Sequence, residues 1–130
     1  MSNANPLKEK SYAFSLDIIE LCKQLKSNHE YEIGSQLLKS GTSVGANIEE
    51  SNQAQSKKDF VSKLSISLKE AYESHYWIRL LRDSQIVPGS TAASLLEKNE
   101  ELMKLLTSVI KATKVTMQKV QQAQSVSNHA

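Results

Sequence analysis

Residues 56–84 read SKKDFVSKLSISLKEAYESHYWIRLLRDS, and this stretch decides the fold. Ser56 stands three residues before Asp59, which is an acidic variant of the capping box that begins many helices. The side chains that then recur at spacings of three and four are Phe60, Leu64, Leu68, Ala71, His75 and Ile78. This is the period of a helix with one buried face, and it predicts a helix ~42 Å long that ends near Ser84.

The stretch before it predicts a second helix, from about Glu30 to Asn52, which is unusual in its glycines. Gly34, Gly41 and Gly45 share one face with Ile48. Each glycine inside a helix costs ~1 kcal/mol relative to alanine, so three of them need a physical reason. Close packing against a neighbouring helix at these four residues is the favoured reason. A local break around residues 41–43 is the alternative.

A first helix is predicted to begin at Asn5 and Pro6, because asparagine caps helices well and proline fits the first helical position. Its buried line is Phe14, Ile18, Leu21 and Leu25, widened by Tyr12, Leu16, Ile19 and Cys22. The polar segment 27–29 is too short to connect anything but antiparallel neighbours.

A fourth helix is predicted to start between Ser90 and Ser94, where Ser94 and Glu97 have the spacing of a second capping box. It carries two parallel apolar seams, which suggest contact with neighbours on more than one side. Beyond about Gln121 the sequence is polar and is expected to fray. We therefore predict one all-α domain over residues 1–123, an antiparallel up-and-down four-helix bundle, with a frayed tail at 124–130.

The composition argues against other classes of protein. Four glycines, two prolines and 5% aromatic residues are too few for a sheet protein with its many turns. No apolar run reaches the ~18–20 residues of a membrane helix, and the first residues lack the apolar core of a signal peptide. The single cysteine suits a reducing compartment. These features predict a cytoplasmic protein with no membrane partner.

The residues offer no active site. Cys22, His29, His75 and His129 do not have the spacing of metal ligands, and no serine lies in G-x-S-x-G. No glycine loop has the pattern of a phosphate site. Glu49 and Glu50 are adjacent on a helix, so they point about 100° apart and do not converge. We expect no enzyme activity, no cofactor, no metal and no small-molecule substrate.

Nucleic-acid binding has more support in the sequence than enzyme activity does. The net charge is only +2, but no acidic residue follows Glu101. The candidate contacts are Lys57, Lys58, Arg79, Arg82, Lys104, Lys111 and Lys114. Tyr76 and Trp77 lie near the arginines, and aromatic faces stack on bases. Acidic residues are interleaved on the third helix, so an ordinary solvated surface is the alternative interpretation.

Three phrases resemble a known family: QLLKSGTSVGANIEE at 36–50, SKKDF at 56–60, and L-x-I-x-LKEA at 64–71. They are similar to the bacterial four-helix-bundle proteins first described as products of intervening sequences within 23S ribosomal RNA genes. The resemblance is strong over the second and third helices and absent from the final tail. Many members carry glycine where Ser51 stands here, which indicates a subgroup.

The resemblance implies a ring-like homopentamer and no catalytic residues. It also implies kinship with the accessory proteins of diversity-generating retroelements, which engage a reverse transcriptase and its RNA. We therefore expect a non-enzymatic homo-oligomeric scaffold or adaptor that binds another macromolecule. The alternative is an RNA-binding protein that acts through the basic surface of the assembled ring, with a reverse transcriptase as a further partner.

Overall fold

The computed structural model describes residues 5–129, and the side chains of residues 5–127. Its four helices are α1 (Pro6–Ser27), α2 (Tyr31–Ser51), α3 (Lys57–Asp83) and α4 (Gly89–His129). Consecutive helices pack against each other and α1 also packs against α4, while no strand occurs between residues 5 and 129. The predicted fold class, an all-α antiparallel up-and-down four-helix bundle, is confirmed. None of these four helices is long and apolar enough to cross a bilayer.

Helix α1 begins and ends where its sequence predicts. The Asn5 side chain accepts a hydrogen bond from the Lys8 backbone nitrogen at 3.2 Å, and Pro6 occupies the first turn. After Ser27 the chain reverses through His29, whose φ of 63° lies in the left-handed region that histidine tolerates better than most residues. This tight turn forces α2 to run antiparallel to α1.

Helix α2 packs closely against α1 where it carries glycine. The helix is unbroken through residues 41–43, so the local break does not occur. A Cβ placed on Gly41 would lie 2.9 Å from two carbons of Ile18, and one on Gly45 would lie 3.2 Å from the Ser15 hydroxyl. The backbones approach each other here because neither glycine has a side chain.

The seam between α2 and α3 is lined by buried serines. Ser67 donates a hydrogen bond to the Val44 carbonyl at 2.7 Å, and Ser74 pairs with Ser40 at 2.9 Å. All three serines are fully buried. Sequence periodicity places serine on a polar surface, so this feature was not predicted; a small hydroxyl can instead be buried when a backbone or serine partner faces it.

The start of α4 differs from the prediction. The helix begins at Gly89, and the Pro88 carbonyl accepts a hydrogen bond from the Ala92 nitrogen at 3.1 Å. Ser94 therefore lies inside the helix, and the predicted second capping box with Glu97 is wrong. Ala92 is fully buried, and packing of this first turn against the bundle accounts for the earlier start.

The two apolar seams of α4 contact neighbours on more than one side, as their spacing predicts. Leu95, Leu102 and Leu106 on one seam, and Leu96 and Ile110 on the other, are all buried within the bundle. Helix α4 packs against both α3 and α1, so it needs two seams inside a single chain. Leu96 and Ile110 of the second seam therefore belong to the core of the single bundle.

The end of α4 is longer than predicted. The helix continues to His129, whereas the sequence predicted a frayed tail at 124–130; residue 130 lies outside the described range. No glycine or proline follows Gly89, and alanine, glutamine and lysine favour helix. Between Ile110 and residue 127 no side chain is buried. The helix thus runs ~28 Å past its last buried residue.

Candidate functional site

The chemistry-bearing side chains are dispersed. Over the part of the chain that the structure describes, no three His, Cys, Asp or Glu residues come together as metal ligands. Glu49 pairs with Lys8 on α1 at 3.7 Å, whereas Glu50 pairs with Lys63 on α3 at 3.2 Å. The two carboxylates point to different helices, so they do not form an acid–base pair.

Cys22 is enclosed between α1 and α2. Its Sγ lies 3.4 Å from the Gly34 carbonyl oxygen, to which the thiol donates. Burial raises the pKa of the thiol to about 11. The thiolate is the reactive form of cysteine, so this environment suppresses nucleophilic chemistry near neutral pH.

Cys22 should therefore react slowly with a disulfide reagent in the folded protein. The rise from 9.0 to about 11 reduces the thiolate fraction about a hundredfold at pH 7.5. The rate should rise with pH toward that value, and unfolding in urea should restore ordinary reactivity. Absorbance with a chromogenic disulfide measures both rates, and equal rates in folded and unfolded protein would contradict the buried position.

The predicted nucleic-acid contacts separate into two groups. Arg82 forms hydrogen bonds to Asp83 at 2.7 and 3.2 Å, and this pairing holds the pKa of the Asp83 carboxyl below its usual range. Arg82 is thus engaged at one end of α3. The others, Lys57, Lys58, Arg79, Lys104, Lys111 and Lys114, are on α3 and α4 and have no ion pair among the described residues.

A groove lies between α3 and α4 on the outer surface of the bundle, with a volume of about 530 Å³. Its lining residues are Tyr72, Glu100, Met103, Lys104, Thr107 and Ser108. Tyr72 is 58% exposed and Tyr76, one turn along α3, is 47% exposed. The groove therefore places the Tyr72 ring beside a lysine that has no ion pair, and Tyr76 lies one turn beyond the lining residues on α3. The sequence pattern did not predict that Tyr72 would lie beside Lys104.

Arg79 lies about one turn beyond Tyr76 on α3 and is held by two contacts. Its Nε–H donates to His75 Nδ1 at 3.0 Å, and the guanidinium lies 5.7 Å from the centroid of the Tyr76 ring. Since Nδ1 of His75 accepts, Nε2 carries the proton and donates to Glu100 at 2.9 Å. A chain of contacts thus fixes Arg79 on α3 relative to Glu100 on α4.

A second surface is apolar and lies on α1. Tyr12, Leu16 and Ile19 recur at spacings of four and three and point away from the core, with Tyr12 63% and Leu16 53% exposed. Tyr31 and Leu38 on α2 are exposed as well. We call these five residues the α1–α2 patch. The sequence pattern assigned the three α1 residues to a widened buried stripe, and the bundle itself does not cover them.

Asn99 is another buried polar residue that the helical pattern did not predict. It lies on α4 and is fully buried, and neither its Nδ2 nor its Oδ1 has a hydrogen-bond partner among the described residues. The apolar residues Leu95, Leu96 and Leu102 precede and follow it by one turn. A buried amide of this kind lowers stability by about 1–3 kcal/mol relative to a satisfied one.

Comparison with known proteins identifies related chains. A family model described as 23S rRNA-intervening sequence protein matches residues 5–108. A crystal structure of a protein of unknown function from the S23 ribosomal protein family of Bacteroides thetaiotaomicron VPI-5482 is similar, with a TM-score of 0.79 and 42% identity. The similarity covers 81% of this chain and 98% of that one. No curated protein matches. The remainder of α4 extends beyond the family match.

Proposed function

The chain belongs to the 23S rRNA-intervening sequence protein family, and we propose that it is a non-enzymatic, homo-oligomeric scaffold that binds another macromolecule. A homopentamer is the assembly that the family resemblance implies. A cytoplasmic location is part of the proposal and is supported by the single cysteine of the sequence, which suits a reducing compartment.

The observation that carries this proposal is the α1–α2 patch. A helix needs only one buried stripe to fold into a bundle, and α1 already buries Phe14, Ile18 and Leu25 on its inner face. Tyr12, Leu16 and Ile19 form a second apolar stripe on the same helix, outside the bundle. A second copy of the chain is the occupant that we propose for this stripe.

A ring gives each copy two different contact faces, because its interfaces are head-to-tail. The α1–α2 patch supplies one face in this proposal. Ile66, which is exposed on α3 about 120° around the helix from Tyr72, supplies the other. Exposed apolar side chains on two opposite helices are compatible with a closed ring and are not needed for a solitary bundle.

Leu16→Asp should break this assembly. The carboxylate would be desolvated at the contact and left without a partner, which costs several kcal/mol and shifts the oligomer to single chains. Because Leu16 is exposed in the single chain, helix content should stay unchanged. Sedimentation velocity at micromolar concentration measures the shift.

Gln24→Glu is the matched control, since it makes the same charge change at an exposed residue of α1 that lies beside α4, outside the α1–α2 patch. It should keep the mass of the wild-type protein. If Leu16→Asp also keeps that mass, the α1–α2 patch is not the contact between copies.

Nucleic-acid binding is a second candidate function, favoured by the charge of α4. Residues 102–129 contain four lysines and no acidic residue, and a net charge of +2 per chain gives about +10 over five copies. The affinity for RNA should fall steeply with salt, because neutralised phosphates release counterions. The family resemblance suggests that the partner is a reverse transcriptase together with its RNA. An affinity that does not change with salt would contradict this candidate.

A further inference from the structure

We propose that the groove between α3 and α4 is a binding site for single-stranded nucleic acid, in which Tyr72 and Tyr76 stack on bases while Arg79 and Lys104 contact phosphates. The proposal rests on nucleic-acid binding, the second candidate function above, and assigns that function to a surface.

The aromatic part of the site is formed by α3 alone. Tyr72 and Tyr76 are four residues apart, so their side chains lie one above the other on the same helix face. Both rings are about half exposed, because the core of the bundle is filled by other residues of α3, such as Leu64 and Ile78. Base stacking on aromatic rings is independent of sequence and requires unpaired bases. Two rings at this spacing are a platform for a single strand.

The arginine of the proposed site, Arg79, is held in one orientation before any ligand binds. The contacts of Arg79 with His75 and with the Tyr76 ring hold the guanidinium in place. Its terminal Nη groups have no hydrogen-bond partner in the described part of the chain. Asp83, the nearest acid along α3, is hydrogen-bonded to Arg82, and the charge of Arg79 also acts on its carboxylate. The free N–H groups can therefore bind a phosphate, for which a planar arginine fork is well suited.

The second cation comes from α4. Lys104 lines the groove beside Tyr72, so a base stacked on Tyr72 places its phosphate near the ammonium group. Lys111 is seven residues further along and lies on the same face of the helix. The cations thus continue along α4 for ~10 Å past Lys104. A strand that leaves the tyrosines would follow this line.

The charges that favour a polyanion are Arg79 and the lysines of α4 beyond Glu101. The groove lining, in contrast, carries one acid and one lysine, and Glu70 and Glu73 lie near Tyr72 on α3. Glu100 is the one acidic residue that lines the groove, and its carboxylate already accepts a hydrogen bond from His75. Beyond Glu101, α4 has no acidic residue. An acidic peptide would match the positive charge but would not supply flat rings to stack on the tyrosines. A nucleic acid supplies both negative charge and bases that stack.

The test is fluorescence anisotropy of the full chain with a labelled uridine oligonucleotide, over a range of salt concentrations. Tyr72→Ala and Tyr76→Ala should each weaken binding at least about fivefold, because each loses one stacked base. Tyr72→Phe and Tyr76→Phe keep the ring and should bind like the wild type. Lys104→Ala should reduce the slope of log affinity against log salt by about 0.7.

Lys23→Ala is the matched control, since it removes an exposed lysine of α1, outside the groove. It should change the affinity much less than Lys104→Ala. If Lys23→Ala and Lys104→Ala weaken binding equally, or if the tyrosine-to-alanine variants bind normally, the groove is not the binding site. Nucleic-acid binding at another surface would then still be supported. Equally tight binding of duplex RNA would overturn base stacking. No binding by the wild type at low salt would overturn the site and the second candidate function together.

Discussion

Gly41→Leu should lower the free energy of unfolding by about 3 kcal/mol, the upper end of the usual effect of overpacking a core. The physical reason is the contact between α2 and α1. Even the first carbon of a side chain would lie 2.9 Å from Cγ1 and Cγ2 of Ile18, and Ile18 is itself fully buried. The remaining atoms of leucine have no space unless the two helices separate. Urea unfolding followed by circular dichroism, at one fixed protein concentration, measures the loss.

Two other glycines provide controls for this substitution. A Cβ on Gly89 would meet nothing within 4 Å, and one on Gly34 would make an ordinary contact of 3.4 Å with Leu25. Gly34→Ala and Gly89→Ala should therefore be neutral or stabilising, because alanine favours helix by up to ~1 kcal/mol relative to glycine. An unchanged unfolding midpoint for Gly41→Leu would show that α1 and α2 are not packed closely at this point.

Asn99→Asp should lower the free energy of unfolding by about 3–5 kcal/mol at neutral pH, at least as much as Gly41→Leu. The reason is that it leaves an unpaired charge in the core. The two side chains have the same shape, so packing is preserved. Asn99 is fully buried with no polar partner among the described residues, and burial raises the pKa of a carboxyl.

The pH dependence of this variant follows from that raised pKa. The folded state holds its proton to a higher pH than the unfolded state, so stability falls as pH rises above the ordinary aspartate pKa of about 3.9. At lower pH both states are protonated, and most of the difference from the wild type should disappear. Thermal unfolding at several pH values measures this. A deficit that is the same at acidic and neutral pH would contradict the burial of Asn99.

Asn99→Leu is the complementary control. It removes the two unsatisfied polar atoms and continues the apolar face that Leu95 and Leu102 form. Replacing such a group by an apolar one is often neutral or stabilising. The leucine variant should therefore be near wild-type stability or above it at every pH, in contrast to the aspartate variant. A loss as large as that of Asn99→Asp would indicate that the site rejects any substitution.

Helix period and caps predicted most of the fold. The lines of Phe14 and Ile18 on α1, and of Leu64, Ala71 and Ile78 on α3, are buried as their spacing indicates. The errors occur where a neighbouring helix decides the outcome. Ser67 and Ser74 are polar by type, and only the presence of α2 explains their burial. The position of Ala92 against the bundle likewise overrides a well-formed capping motif at Ser94.

The candidate surfaces were predictable only in part. The basic residues of α3 and α4 are visible in the sequence, and the proximity of Arg79 to Tyr76 follows from helical spacing. The meeting of Tyr72 with Lys104 depends on the register between two helices, which no local pattern encodes. The outward direction of Tyr12, Leu16 and Ile19 also required the structure, because an amphipathic pattern does not show how wide the buried part of a stripe is.

The central claim is that copies of this bundle associate through apolar side chains that a single chain leaves exposed. Multi-angle light scattering of the wild-type protein, eluted at micromolar concentration, tests it without any variant. We predict one species with five times the mass of the chain. A species with the mass of one chain, unchanged as the concentration rises, would contradict the claim.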